Sequence, residues 1–563
     1  MHEPAVHLRP IASDDYLSIE TYQPVPVGVE IGKETAAEDD YDEFLIPEDR
    51  KLGVMSTALL IINRMVGTGI FSNPASVIRG TDSVGAALIF WVLGAFMTMA
   101  GLFVYLEFGT ALPRSGGEKV YLERVYRKPV YLATCIFAVQ FVLFAVSTSN
   151  SISFSSYVLF AATGDEKIGS WANRGIAVGI VTMVSCIHAF TPRAGIYIGN
   201  GLGAFKLVLL LFVICSGFSA LGGHRKVPDP HNFSSFDGGS SRSSENDLST
   251  SATAAGYATA LLQVLYSYSG WENANYVLTE VRVPERTLKR AAPMATMIVM
   301  VCYILANVAY FAVFNKADMA QMDVILAAKF FEAVYGAGNF SSKVMPVFVA
   351  MSAMGNIFAQ TFAMPRVKQE LAKQGILPFS RFFSSDWPFQ APSTAILLHW
   401  IFSVVLILGS STSDTYTFVT SIFIYSGNWI KLFLAIGLLY LTWTPSEEWA
   451  RSRTTFRNYP PVTMFYTLSL LFTLAVPFVP NDDLKHIPYW VVPTLGTSML
   501  FVGALYWFVW ARVLPLFGFH VQHEVEIMQD GSERVRYHHS RPGGLRRRRR
   551  AGKFLRDHRP WAS

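Results

Sequence analysis

Apolar stretches of about twenty residues or more recur along this 563-residue chain, at approximately 53–79, 83–111, 131–161, 172–190, 195–221, 252–281, 291–314, 343–364, 393–410, 414–442, 460–480 and 488–514. Twenty residues of α-helix cover about 30 Å, the hydrocarbon thickness of a bilayer. Backbone polar groups in lipid find no water, so such segments must be helices that satisfy their own hydrogen bonds. The pattern predicts an all-α polytopic membrane protein with 12 transmembrane helices. Charged residues make up 15% of the chain, against about 25% in soluble domains.

Two of these runs are interrupted near their middles, about 200 residues apart. The first reads Leu59-Leu60-Ile61-Ile62-Asn63-Arg64-Met65-Val66-Gly67-Thr68-Gly69-Ile70-Phe71, and the second Leu261-Leu262-Gln263-Val264-Leu265-Tyr266-Ser267-Tyr268-Ser269-Gly270-Trp271-Glu272. Unwound backbone at membrane depth is tolerated only where it lines a cavity buried in protein. A matched pair of such breaks points to a binding site for a small solute between them. The competing reading is that Gly67, Thr68 and Gly69 only let helices pack closely; two matched breaks argue against it.

The domain plan follows. Residues 1–50 form an acidic tail, with a patch at Glu38–Glu43, expected to be mostly disordered. Residues 51–515 are the membrane domain, and 516–563 a basic tail with the run Arg546–Arg550, which suits anionic lipid. In the latter tail, Val521–Ile527, Asp530-Gly531 and Val535–Tyr537 suggest a hairpin. Residues 222–251 read as a Ser/Gly-rich loop, and 318–335, with Ile325, Phe330 and Phe331, as one amphipathic helix. No signal-peptide pattern opens the chain, and the charge of +5 is weak evidence for nucleic acid.

Twelve spans put both tails on one side. Loops on that side carry Arg114, Lys119, Arg124, Arg127 and Lys128, then Arg282, Arg286, Lys289 and Arg290, then Arg366, Lys368, Lys373 and Arg381. The opposite loops are poorer in basic residues, so both termini are expected in the cytoplasm. The sequons at Asn232 and Asn339 fall in loops placed outside, which makes the chain a candidate glycoprotein. Cys135, Cys186, Cys215 and Cys302 all lie in predicted spans, so no disulfide framework is indicated.

A helix that stops in mid-membrane presents unpaired carbonyls, and the half-helix that restarts presents unpaired N–H groups. Their dipoles add partial negative and positive charge. A zwitterionic amino acid matches this arrangement. Its carboxylate is expected on the N–H groups of Thr68, Gly69 and Ile70, and its ammonium on carbonyls near Asn63–Val66 and Tyr266–Tyr268. Glycine at 67, 69 and 270 lets a ligand approach the main chain.

Several ordered motifs carry a family resemblance over roughly residues 50–515. Val66–Phe71, Glu107-Phe108-Gly109 and Pro113–Lys119 resemble signatures of the amino acid–polyamine–organocation superfamily. Asn273–Val281 with Pro284, Arg286 and Thr287, and Arg366 with Gln369–Pro378, resemble the fungal methionine-permease branch of the L-type amino acid transporter family. The resemblance implies the leucine-transporter fold, a 5+5 inverted repeat with broken helices 1 and 6. Repeat one covers 53–221, repeat two 252–442, and helices 11 and 12 lie at 460–514. It implies substrate-binding places at Val66, Gly67, Thr68, Gly69 and Ile70, and at Tyr266, Ser267, Tyr268 and Gly270, with Tyr266 as the gate above the substrate. Residues 162–171 lack the Cys that binds a disulfide-linked heavy chain in animal relatives, so no such partner is expected.

Isolated polar residues complete the candidate list. Lys206 lies deep in the fifth span, where a lysine costs roughly 2.5–3.5 kcal/mol to insert. In sodium-independent relatives a lysine here replaces a sodium ion. Two roles stand open for it: coupling proton binding to transport, or serving as a fixed structural cation. Glu272 departs from the small or neutral residue the family leads one to expect; facing an aqueous vestibule and biasing selection toward cationic solutes are both consistent with it. Arg64 is open to an inner-gate ion pair or to snorkelling toward the interface. Ser149 and Asn150 on the third span, and Asn356 with Gln360 on the eighth, either line the pocket or bond a neighbouring helix. His188 and His399 read as structural, and no Cys/His spacing suggests a metal.

The resulting expectation is a plasma-membrane permease importing neutral L-amino acids, including methionine or cysteine, by proton symport and without a cofactor. A transporter-like nutrient receptor, or a permease or exchanger for cationic or large neutral amino acids, is the alternative. No nucleophile–base set suggests an enzyme. The tails could engage trafficking machinery such as a ubiquitin-ligase adaptor.

Overall fold

The first apolar run folds as two helices, α1 (Val54–Met65) and α2 (Gly69–Thr81), which meet at 42°. The structure is a computed structural model describing residues 51–540 apart from 165–170, 225, 237–249, 323–325, 337, 387–390, 410–412, 448, 450–454, 480–487, 518–519 and 528–532. The acidic patch at 38–43, Ile325 and Arg546–Arg550 therefore lie outside the described residues.

Next comes α3 (Val84–Ala111), started by Ser83, whose Oγ accepts from the Ala86 N–H at 3.2 Å. A short α4 (Glu118–Val125) leads to α5 (Leu132–Phe144) and α6 (Thr148–Thr163), two parts of one span. Helices α7 (Trp171–Phe190) and α8 (Pro192–Leu221) follow, with Pro192 in the first turn of α8, where its missing N–H costs nothing.

The second interrupted run forms α9 (Thr250–Tyr268), a turn at Ser269 and Gly270, and a 3-10 helix over Trp271–Glu280. Beyond it lie α10 (Pro284–Phe311), α11 (Lys316–Ala320), α12 (Leu326–Tyr335) and α13 (Met345–Lys373). After these run α14 (Ser380–Phe383), α15 (Ser393–Gly409), α16 (Ser413–Trp443), α17 (Pro460–Ala475), α18 (Val491–Phe508) and α19 (Leu514–Leu516). Strands β1 (His520–Ile527) and β2 (Glu533–Ser540) then pair antiparallel, Val525 opposite Val535.

Among the described residues, nine helical segments are long and apolar enough to cross a bilayer, and the bent pair α1–α2 makes a tenth. The difference from twelve falls on the 252–281 run, divided at Gly270, and on α15, which has 17 residues. Large apolar side chains such as Phe96, Val208, Leu468, Phe501 and Leu505 point outward, a surface that requires lipid. This is a membrane protein with several spanning helices. The expected single helix over 318–335 is instead two short ones, α11 and α12. Asn232 is buried and its Nδ2 donates to Phe311 O (2.9 Å) and Phe314 O (2.5 Å), so this amide is not open to glycosylation; Asn339 is exposed.

Two contacts set the site's position. The second half of the first broken helix, α2, and the first half of the second, α9, lie backbone to backbone: a Cβ on Gly80 would sit 2.4 Å from Gly256 O, and one on Gly256 would sit 2.5 Å from Gly80 O. Behind them Trp91, Tyr268 and Tyr303 cluster with ring centroids 5.2–5.9 Å apart. Such pairs contribute about 0.5–1.5 kcal/mol each beyond burial, so the Tyr268 side chain anchors the second break from behind.

Candidate site at the two helix breaks

Helix α1 ends on carbonyls that the protein satisfies itself. Lys206 Nζ, on α8, donates to Asn63 O and Val66 O, both at 2.6 Å. Asn356 Nδ2 donates to Arg64 O at 2.6 Å, and Tyr303 OH to Met65 O at 2.8 Å. Lys206 is fully buried, and its ammonium faces the negative end of the α1 dipole. The carbonyls near Asn63–Val66, expected to receive an ammonium ligand, thus each already accept from a side chain of α8, α10 or α13.

The other side of the break is open. Among the described residues nothing accepts from the N–H groups of Thr68, Gly69 or Ile70, the first donors of α2; Thr68 O takes Phe71 N (3.0 Å) and Ser72 Oγ (2.8 Å). Unpaired donors at a helix N-terminus form a ready anion site.

At the second break, Gly270 adopts φ 115, which L side chains rarely tolerate. Its N–H donates to Glu272 Oε2 at 3.1 Å. Glu272 is buried, with Oε1 3.7 Å from Lys431 Nζ on α16, and that ammonium lies 5.3 Å from the Trp271 ring. Glu272 thus caps the break and is neutralised by Lys431 rather than facing an aqueous vestibule. Nothing among the described residues donates to the carbonyls of Ser267 and Tyr268. The two breaks touch: a Cβ on Gly69 would meet Ser267 Cα at 3.0 Å. Asn73 Nδ2 ties them further, donating to Ser267 Oγ (2.8 Å) and Gln263 O (3.2 Å).

The candidate wall residues come together here. Asn150 Nδ2 donates to Asn356 Oδ1 at 3.2 Å, and a Cβ on Gly67 would lie 2.6 Å from Asn356 Nδ2. Oriented to satisfy both ends of its amide, Gln360 accepts from Asn150 Nδ2 (3.0 Å) and donates to Val146 O (3.1 Å). The half-buried Tyr266 reaches Ser149 with its OH 3.4 Å from Ser149 Oγ, bridging α9 to α6 across the site. His399 Nε2 meets Ser147 Oγ at 2.9 Å, holding the kink between α5 and α6, and His188 packs on Phe358 and Phe362.

Arg64 takes neither of its expected courses. Its Nη1 donates to Asn356 Oδ1 at 3.2 Å, and its stem crosses the gap so closely that a Cβ on Gly270 would lie 2.5 Å from its Cγ. The guanidinium stays between the breaks instead of reaching an interface.

One end of the site is closed by a set of ties. Leu52, just before α1, pairs with Val281 in a parallel bridge: Leu52 N donates to Glu280 O (2.7 Å) and Arg282 N to Leu52 O (2.9 Å). Arg366 of α13 forms an ion pair with Glu280 and lies 3.8 Å from the Phe362 ring centroid. The Pro113–Lys119 motif docks on the 3-10 helix, with Ser115 Oγ 2.6 Å from Thr279 Oγ1 and Gly116 N donating to Tyr276 O at 3.3 Å.

Sequence reasoning missed Lys431 and Tyr303. Lys431 carries a usable signal, a charge inside the apolar 414–442 run; a single buried Tyr in an apolar helix carries none.

The chain is 35% identical to the high-affinity methionine permease of Saccharomyces cerevisiae, over 90% of this chain and 86% of that protein. It is 30% identical to the low-affinity methionine permease of the same yeast, over 84% and 85%. To the human b(0,+)-type amino acid transporter 1 it is 26% identical, over 85% of this chain and 93% of that one. The matched proteins are permeases and transporters, not enzymes. The profile of the amino acid permease family matches residues 52–510, the whole membrane domain with both breaks, and the chain belongs to that family.

Proposed function

We propose that this permease imports neutral L-amino acids, methionine and cysteine among them, together with a proton, across the plasma membrane with both termini in the cytoplasm. Its membrane domain is read as twelve spans, the first ten forming a 5+5 inverted repeat around the two breaks. The observation that carries this reading is the pairing of opposite backbone needs in one place. Three unpaired N–H groups at Thr68, Gly69 and Ile70 suit a carboxylate, and the unengaged carbonyls of Ser267 and Tyr268 suit an ammonium. Tyr266, on the Ser149 side, closes over the solute.

The charges favour a solute whose side chain is uncharged. Lys206 and Arg64 both stand at the first break, while Glu272 is paired with Lys431. A cationic side chain entering this gap meets two like charges at low dielectric and no free carboxylate. The similarity to yeast methionine permeases supports the same choice. With both its bonds directed to α1 carbonyls, Lys206 is read as the fixed structural cation of the two roles open to it, and the driving ion as a proton bound elsewhere.

Purified protein in liposomes tests the reading. Labelled methionine, cysteine and leucine are expected to enter faster with an inward proton gradient, and lysine to be excluded. Robust lysine uptake with no methionine or cysteine flux overturns it.

The ties at Leu52, Glu280 and Arg366 then form the inner gate. Breaking a buried ion pair costs about 3–5 kcal/mol, which moves a two-state equilibrium by about a hundredfold or more. Arg366→Gln is expected to shift the population toward the inward-open state. Spin-label distances between the start of α1 and the end of α13 should lengthen; an unchanged distribution removes the pair from the gate.

A further inference from the structure

Glu118 is the first residue of α4, set by the glycine pair Gly116 and Gly117 against the inner half of the second broken helix. Its side chain is 4% exposed. Oε1 accepts from Tyr105 OH (3.0 Å, from α3) and Tyr276 OH (3.1 Å, from the 3-10 helix), and Oε2 has no partner although it is buried. None of the substrate contacts or gate ion pairs described above uses this carboxyl.

The charged and titratable groups around it come from every neighbouring element. Glu272 and Tyr276 stand on the 3-10 helix, Lys431 on α16, Tyr105 on α3 and Tyr466 on α17. On α4 itself, Tyr121 donates to Asn275 and Lys119 lies 3.8 Å from Glu123, while α5 contributes Cys135 near Glu123. Lys431 acts on both acids and is the ion-pair partner of Glu272, and Arg64 on α1 also faces Glu272 and Tyr276. Two buried carboxyls thus share one ammonium, and among the described residues Glu118 forms no ion pair of its own.

We propose that Glu118 is the proton-binding site of the transport cycle, taking a proton on Oε2 when α4 and Tyr276 close around it and releasing it to cytoplasmic water when they part. This rests on the proton-coupled reading given above. Burial, and next the Glu272 charge, push the carboxyl up to about 7. Opening hydrates it and returns it toward the ordinary range, about 4.3. The sign follows: the closed arrangement is favoured while Glu118 is protonated and loses that advantage as pH rises through about 7. Glu272, which caps Gly270 at the second break, is the acid whose charge Glu118 feels, so the carboxyl is coupled to the break itself.

The test uses full-length protein in liposomes enclosing a pH-sensitive dye, with the best-transported amino acid of the panel as probe. Substrate addition is expected to acidify the lumen with the wild type and with Glu118→Asp. With Glu118→Gln it is expected to give no acidification, while exchange of labelled for unlabelled substrate persists and no longer varies between pH 6 and 8. Acidification by Glu118→Gln at the wild-type rate overturns the assignment and leaves proton coupling standing. Uptake without acidification in the wild type refutes proton coupling, and this site with it. If Glu118→Gln neither exchanges substrate nor is thermally stabilised by it, the residue is structural and the assignment fails.

Discussion

Lys206→Met is expected to abolish uptake and to lower the melting temperature of the purified protein. The ammonium makes two bonds of 2.6 Å, to Asn63 O and Val66 O, inside a fully buried setting. Hydrogen bonds to a charged group contribute about 1.5–3 kcal/mol each, and the orphaned carbonyls add their own desolvation cost. Losing both removes several kcal/mol from a domain whose total stability is about 5–15 kcal/mol. The loss falls on the first break, so uptake fails before the fold does. Lys206→Arg should not rescue, because Gly355 already packs so tightly that a Cβ there would lie 2.7 Å from Lys206 Cε, leaving no room for a guanidinium. Labelled-substrate uptake and a thermal melt check both variants. Full, pH-dependent uptake by Lys206→Met would remove the ammonium from the mechanism.

Gly270→Ala is expected to be nearly as damaging. A side chain at φ 115 is strained by about 1–3 kcal/mol wherever it occurs. Here the new Cβ also meets Arg64 Cγ at 2.5 Å and the Arg64 backbone at 3.0 Å. The second break can therefore accept alanine only by pushing the first one aside. Gly164→Ala is the control: φ is 73 and nothing lies within 4 Å of the added atom. It carries backbone strain without the collision, and uptake should stay within about twofold of wild type. Equal loss in both variants would show that strain, not contact between the breaks, governs the effect.

Much of this architecture was legible from residue order, and the reason is the bilayer. Because lipid forbids unpaired backbone, every long apolar run had to be helix, and a Gly-centred interruption had to be a break. Ser149, Asn150 and Asn356 were identifiable as polar residues on apolar helices; the structure sets Asn150 and Asn356 beside Gly67, and Ser149 against Tyr266. What one sequence does not reveal is which helix stands opposite which. Glu272 read as a free acid because its partner, Lys431, lies 159 positions further along. Arg64 read as a residue near an interface because distance along α1 was visible and the direction of its stem toward Gly270 was not. Glu118 looked like part of a surface loop; the docking of Gly116 on Tyr276 O is what buries it.

The reciprocal contact of Gly80 with Gly256 has a mechanical consequence. At that crossing no side chain separates the two rods, and Asn73 bonds α2 to α9 further along, so the pair is built to swing as a single lever. Bending is thereby directed to the residues below them, Val66–Thr68 and Ser269–Gly270, next to the Thr68–Ile70 N–H groups and the Ser267 and Tyr268 carbonyls proposed to hold the solute. On the function proposed above, a solute that bridges the two breaks would stiffen that hinge, and occupancy would reach the lever without any intermediary.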